Sequence, residues 1–298
     1  MTERKQDSET GRGTLMAFAT YTMWGLLPIY WKQLRSVDPL QILCHRISWA
    51  LLFAVAILAA TRELGSLAAI FRDRRRVASV AASGFLITAN WGVYIWAVNA
   101  GRLAEASLGY YINPLLSVAL GTLFFKERID RWTAVAVAVA AAGVIAASIM
   151  LGSPPWVSLA LAASFALYGA VKKKTGLGPV AGLAAETVFV APLALAWLVR
   201  EHLAGRGAFG GPDLKVNAML VLAGVVTALP LLAFAYATTR ITLQRLGFVQ
   251  YLSPSLQLAL GLLVYGERLT PPLAVAFSTV IAAVLAYALT RDRRSRLP

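Results

Sequence analysis

Residues Tyr111–Arg128 read YINPLLSVALGTLFFKER, and residues Tyr251–Arg268 read YLSPSLQLALGLLVYGER. Laid over one another at a shift of 140, nine of the 18 positions are identical: Tyr111/Tyr251, Pro114/Pro254, Leu116/Leu256, Ala119/Ala259, Leu120/Leu260, Gly121/Gly261, Leu123/Leu263, Glu127/Glu267 and Arg128/Arg268. The same shift brings Gly84 onto Gly224, Tyr94 onto Phe234 and Trp96 onto Tyr236, and a slightly larger one brings Trp24-Gly25 onto Tyr168-Gly169. Two unrelated apolar helices would share leucines and alanines. They would not share a proline, a glycine and a Glu-Arg exit in one register. The chain therefore reads as a duplication, and self-similarity at a fixed spacing decides the fold before any single motif does.

Composition says what is duplicated. Of 298 residues, 58% are hydrophobic and 14% charged, against about 25% charged in ordinary globular proteins. The mean hydropathy is +0.66. This excludes a soluble enzyme, a nucleic-acid-binding module and a disordered regulator, even though the net charge of +14 would suit nucleic acid in a soluble protein. A membrane-crossing helix needs about 20 mostly apolar residues to cover a hydrocarbon core of about 30 Å. Ten stretches qualify: 14–31, 40–60, 77–98, 104–125, 132–151, 156–171, 180–199, 216–237, 246–265 and 272–290. The polar leader 1–13 has no small-residue cleavage site, so the first run reads as a retained helix. The longest loops, 61–76 and 200–215, are too short to hold a domain. A single cysteine, Cys44, forms neither an internal disulfide nor a multi-cysteine metal site.

Lysine and arginine give the orientation. The N-terminus, the even-to-odd loops and the tail carry 20 basic residues, including Arg72–Arg76, Lys172–Lys174 and Arg291–Arg296. The opposite loops carry 7, and Arg46 lies inside a span. The basic side is cytoplasmic, so both termini are expected there. The expected architecture is an all-α integral membrane protein of ten transmembrane helices. The leader 1–13 is followed by one five-helix repeat over 14–151, a second over 152–290, and a basic tail 291–298. Five is odd, so the second repeat enters the membrane upside down. Inverted repeats supply two similar states, one open to each side, and mark secondary transporters.

The chain resembles the RarD branch of the EamA-like permeases, within the drug/metabolite transporter superfamily, from about residue 14 to 290. The resemblance rests on Tyr21, Trp24-Gly25, Pro28, Tyr30 and Lys32, on His45-Arg46 with Trp49, and on Asn90-Trp91 through Trp96-Ala97-Val98-Asn99. It continues through Glu105–Tyr110 with Asn113-Pro114, then Tyr168-Gly169 with Lys172–Lys174 and Glu186-Thr187. Pro230-Leu231, Gly247-Phe248, Gln250-Tyr251 and Pro254 complete it. Ser253 stands where the family has a glycine before the proline of the ninth span. The resemblance implies a 5+5 helical permease of the bacterial inner membrane with a central cavity; it implies no defined cargo.

Polar groups at bilayer depth cost about 2.5–3.5 kcal/mol for a central Arg, Lys or Asp, so their presence points to function. Arg46 lies about two turns inside the second span. It either snorkels to the interface or faces the cavity, pairing with a carboxylate or holding an anionic group of the substrate. His45 either relays protons near neutral pH or packs as a neutral ring. Glu186, in the seventh span, is the first candidate for proton coupling, with Glu105 and His45 behind it; at a shift of 140 it falls on Arg46. Glu105 equally suits capping the fourth span at its positive dipole end. Glu127-Arg128 and Glu267-Arg268 read as structural.

Pro28, Pro114, Pro192, Pro230 and Pro254 lie within spans, where a proline removes a hydrogen bond and kinks the helix. Pro28, Pro114, Pro230 and Pro254 are the gating candidates, and the repeat-matched Pro114 and Pro254 each follow a polar residue, Asn113 and Ser253. The candidate substrate-binding set is Trp24, His45, Arg46, Asn90, Trp91, Tyr94, Tyr111, Asn113, Tyr168, Gln250 and Tyr251, with Tyr110 beside it. Aromatic faces and amides suit flat or amphipathic molecules, while part of the set serves as interface anchors.

The chain has no phosphate-binding loop, no G-x-S-x-G and no H-E-x-x-H, and its two histidines cannot build a histidine-rich metal site. No enzyme activity, cofactor, metal or nucleic-acid partner is expected. The expected partners are membrane lipids, a small organic solute and, if transport is coupled, protons. The expected function is a secondary permease working by alternating access, more in keeping with export than import. The alternative is a non-transporting membrane sensor or scaffold.

Overall fold

The computed structural model describes residues 2–125, 131–175, 177–238, 240–241 and 249–295. Among these, all regular structure is helical. The helices are α1 (Thr2–Gln33), α2 (Pro39–Ala60), α3 (Leu64–Phe71), α4 (Arg74–Asn99), α5 (Leu103–Phe125) and α6 (Arg131–Leu151). They continue as α7 (Trp156–Thr175), α8 (Pro179–Leu203), α9 (Leu214–Thr238), α10 (Leu252–Ala259, extended by a π-turn over Leu260–Val264) and α11 (Pro271–Ser295). Each predicted span overlaps one of these helices, the ninth only from Leu252 onward. The short α3, in the loop after the second span, was not expected. Among the described residues, five segments are long and apolar enough to cross a membrane by length and composition: Pro39–Ala60, Arg74–Asn99, Ala134–Leu151, Pro179–Leu203 and Leu214–Phe234. The apolar segments Trp156–Lys172, Leu252–Val264 and Pro271–Leu285 are shorter. Residues Glu127-Arg128 and Gly247-Phe248 lie outside the described residues.

Helix ends are set by local chemistry. The Asp38 carboxylate accepts from the Leu40 and Gln41 amides, with Pro39 in the first turn of α2; there a missing N–H costs nothing. Asp73 does the same for α4 through the Arg75 and Arg76 amides. Gly101 (φ 71°) and Gly205 (φ 71°) follow the ends of α4 and α8, in the left-handed conformation a helix stop requires.

The packing runs between the two halves of the chain. α1 lies against α9 and α10, and α7 lies against α4 and α5. α2 packs on α8 and α9, while α8 packs on α2 and α4; α6 and α11 pair with each other. Numbered by repeat, every one of these contacts has its exchanged counterpart. Two glycines matched by the 140-residue shift sit where helix backbones approach closely. A Cβ on Gly84 of α4 would overlap the Glu186 carbonyl oxygen of α8. A Cβ on Gly224 of α9 would stand 2.5 Å from the Trp49 carbonyl of α2. Only glycine permits such backbone approach.

Loops gather at two ends. At one, Arg240 Nε binds Glu9 at 2.8 Å, and Leu67 and Ile70 of α3 pack with Ala181, Ala185 and Phe189 of α8. At the other, Gln41 Nε2 donates to the Arg206 carbonyl (2.9 Å), Gln41 Oε1 accepts from the Ala208 amide (2.8 Å), and Lys215 Nζ donates to Gln33 (2.9 Å). The flanks between the ends expose Phe18, Leu52, Phe85, Ile145, Ile149, Leu193 and Leu263, an apolar surface suited to lipid.

Candidate functional site

Two buried charges organise the interior, one contributed by each half. Arg46 of α2 is 5% exposed. Its guanidinium lies 4.0 Å from the ring centroid of Trp91 on α4 and 5.0 Å from that of Trp31 on α1. Tyr30, Tyr94 and Tyr110 complete its polar surroundings. Among the described residues no carboxylate pairs with it, and its Nε and Nη1 have no hydrogen-bond acceptor. The Trp31 Nε1 and the Tyr94 hydroxyl are likewise buried and unpaired. The neighbouring hydroxyls are engaged elsewhere: Tyr30 donates to the Met219 carbonyl, and Tyr110 to Asn90 Oδ1 at 3.4 Å. Arg46 is thus buried against aromatic faces, not extended to the interface.

Glu186 of α8 is 3% exposed and fully partnered. Lys172 Nζ of α7 lies 3.2 Å from both of its oxygens. Ser83 Oγ of α4 donates to Oε1 at 3.1 Å, and the Tyr168 hydroxyl to Oε2 at 3.2 Å. Lys172 also donates to the Tyr168 hydroxyl. Three helices from both halves therefore meet on one carboxylate. A buried ion pair of this kind costs desolvation and is sensitive to the loss of either charge.

The remaining candidates divide by place. Asn90 Nδ2 donates to the Leu161 carbonyl and Ser164 Oγ of α7, both at 3.0 Å, which ties α4 to α7 beside the Arg46 cluster. Tyr94 and Tyr110 meet edge to face at 5.7 Å. His45 turns away from Arg46 and lies 5.4 Å from the Phe209 ring. Trp24 packs with Tyr21 and Phe234 at 5.4 and 5.7 Å, while Tyr111 stacks on Tyr251 at 5.8 Å and shares a 2.5 Å hydrogen bond with Ser255. Asn113 Oδ1 accepts from Ser117, and Gln250 is half-buried in the turn before α10.

Glu105 is bound at 2.7 Å through both oxygens to Arg102, whose guanidinium lies over Trp96 and Trp156. That places it in the first turn of α5, apart from Glu186. Pro28, Pro114, Pro192 and Pro230 lie inside helices. Pro254 lies in the first turn of α10, and its carbonyl accepts from Ser107 at 2.6 Å. Glu267 accepts from the Leu103 and Ala104 amides at 2.9 and 2.8 Å, so a carboxylate from the loop between α10 and α11 caps α5.

Sequence reasoning missed Lys172 as a partner, because three lysines at a helix end read as a topology signal. It also missed Ser83, Trp31 and Gln257, whose Nε2 donates to the Trp24 carbonyl (3.3 Å) and Ser253 Oγ (3.2 Å). The four-residue spacing of Tyr168 and Lys172 was the available signal, since it puts both on one helix face. No group of three or more His, Cys, Asp or Glu among the described residues could hold a metal ion.

The profile of the EamA-like transporter family matches residues 11–149 and again 154–289. The chain belongs to the EamA-like transporter family. Among EamA-type relatives, the uncharacterized transporter YojE of Bacillus subtilis (strain 168) is 44% identical over 98% of both chains. Protein RarD of Streptomyces exfoliatus is 39% identical over 98% of this chain and 94% of its own. Protein RarD of Escherichia coli (strain K12) is 36% identical over 94% of this chain and 95% of its own. These relatives make the chain a RarD-like EamA permease, a membrane transporter and not an enzyme. A solved crystal structure superposes with a TM-score of 0.60 over 93% of this chain and 97% of the other, at 20% identity; this likeness concerns the fold alone.

Proposed function

We propose that this EamA protein is a secondary transporter of the bacterial inner membrane that exports a small organic solute by alternating access. Its ten spans form two five-helix halves of opposite orientation, 14–151 and 152–290, with both termini cytoplasmic. The observation that carries this reading is the exchanged packing of the halves, with Gly84 against Glu186 and Gly224 against Trp49. Matched contacts of this kind give two related arrangements of similar energy, which alternating access requires. Coupling to protons is assigned to Glu186, because the buried carboxylate joins Ser83, Tyr168 and Lys172 across both halves. Trp24, Asn90, Trp91, Tyr94, Tyr111, Asn113, Tyr168, Gln250 and Tyr251 contribute to the substrate path around Arg46 and His45. Pro28, Pro114 and Pro230, each inside a helix, allow the helices to bend.

The test is flux of labelled solutes into proteoliposomes, with and without a proton gradient, for the wild type and Glu186→Gln. Wild type should accumulate at least one solute when the gradient is imposed, and Glu186→Gln should lose the gradient dependence while folding normally. Gradient-driven accumulation by a folded Glu186→Gln variant removes the coupling role. Saturable ligand binding with no flux under any gradient identifies a sensor or scaffold instead.

A further inference from the structure

The Arg46 cluster carries an inference about the class of solute. Arginine offers five N–H donors and no acceptor, and the tryptophan indole offers one donor. Here Arg46 Nε, Arg46 Nη1 and Trp31 Nε1 are all buried without an acceptor, in one cluster that contains no carboxylate among the described residues. The Trp91 and Trp31 faces offset part of the cationic charge, but a ring face supplies no lone pair to these N–H groups. Leaving a buried guanidinium in this state is costly. The missing component is an anion with acceptor oxygens.

The apolar surroundings narrow the anion further. Trp31, Trp91, Tyr94 and Tyr110 belong to one apolar cluster and present ring surface, which favours an apolar body attached to the charged head. Guanidinium and carboxylate match in planar, two-bond geometry. The sealed, unpaired donors and aromatic walls thus point to one ligand type. We propose that the Arg46 cluster is the binding site for the carboxylate of a small organic acid with an apolar, ring-bearing body. This rests on the transport reading above and names the solute class for it.

The test uses phenylacetate and its neutral isostere phenylacetamide on the purified full-length protein in non-ionic detergent. Binding is read by tryptophan fluorescence and by the thermal midpoint. Phenylacetate should quench saturably and raise the midpoint, with phenylacetamide at least tenfold weaker. Arg46→Gln should weaken phenylacetate at least tenfold while its unliganded midpoint is not lowered, since it removes an uncompensated charge. Acid and amide binding alike, no binding of phenylacetate, or unchanged binding by Arg46→Gln would each overturn the proposal. The acid–amide comparison on wild type decides the matter if that variant fails to fold. Gradient-driven flux of another solute without phenylacetate binding overturns this proposal alone, while phenylacetate binding without any flux overturns the transport reading alone.

Discussion

At the scale of single residues, the buried Glu186 and Arg46 stand in opposite electrostatic conditions. Glu186 has a cation and two hydroxyl donors; Arg46 has aromatic faces and unpaired donors. Removing Lys172 alone leaves the Glu186 charge without its counterion. Lys172→Met should therefore destabilise the protein by about 2 kcal/mol, less than for a fully buried pair because Lys172 is partly exposed. Glu186→Gln in the same chain should restore much of the loss, and a double-mutant cycle on thermal or chemical unfolding measures the coupling. The charges themselves were legible in the sequence, because an ionisable group inside an apolar run stands out. Their partners were not. Lys172 lies among three consecutive lysines at a helix end, and Ser83 lies in a small-residue stretch; their relation to Glu186 depends on how α4, α7 and α8 cross.

Among the elements, the ten apolar runs expected from the sequence each overlap a described helix, and five of those helices hold a segment long and apolar enough to cross a membrane. Less visible was the form some of them take. The ninth is described as a short α-helix followed by a π-turn, a feature common at functional positions, and no residue pattern announced it. Pro254 was read as a mid-span kink; it lies in the first turn of α10, where proline fits a helix without losing a bond. The glycines were legible as matched positions, while the reason for them needed the crossing helices. Gly84→Ala and Gly224→Ala should each cost about 1–3 kcal/mol through forced separation of α4 from α8 and of α9 from α2. Unfolding of each variant checks this, and a loss of under about 0.5 kcal/mol at both would show that the crossings relax freely.

For the whole molecule, duplication was readable and the exchange of helices between halves was not. Self-similarity says that two copies resemble one another; it does not say on which copy each helix packs. The charge count also proposes a side for each loop. With Cys44 replaced by Ala, Ser66→Cys should react with a membrane-impermeant maleimide only after permeabilisation. Ala204→Cys should react in intact cells, and the reverse pattern would invert the proposed orientation. The exchange has a consequence for how the chain is made. Thr20 of α1 meets the Pro230 carbonyl across 210 residues of sequence. At about 5–20 residues per second, the ribosome takes about 10–40 s to supply that neighbour. Through this interval the face of α1 that α9 and α10 will occupy has no partner from this chain. Newborn first halves are therefore the stage at which quality-control proteases have most to recognise, and a stalled ribosome would leave behind a fragment with no partner for its first helix.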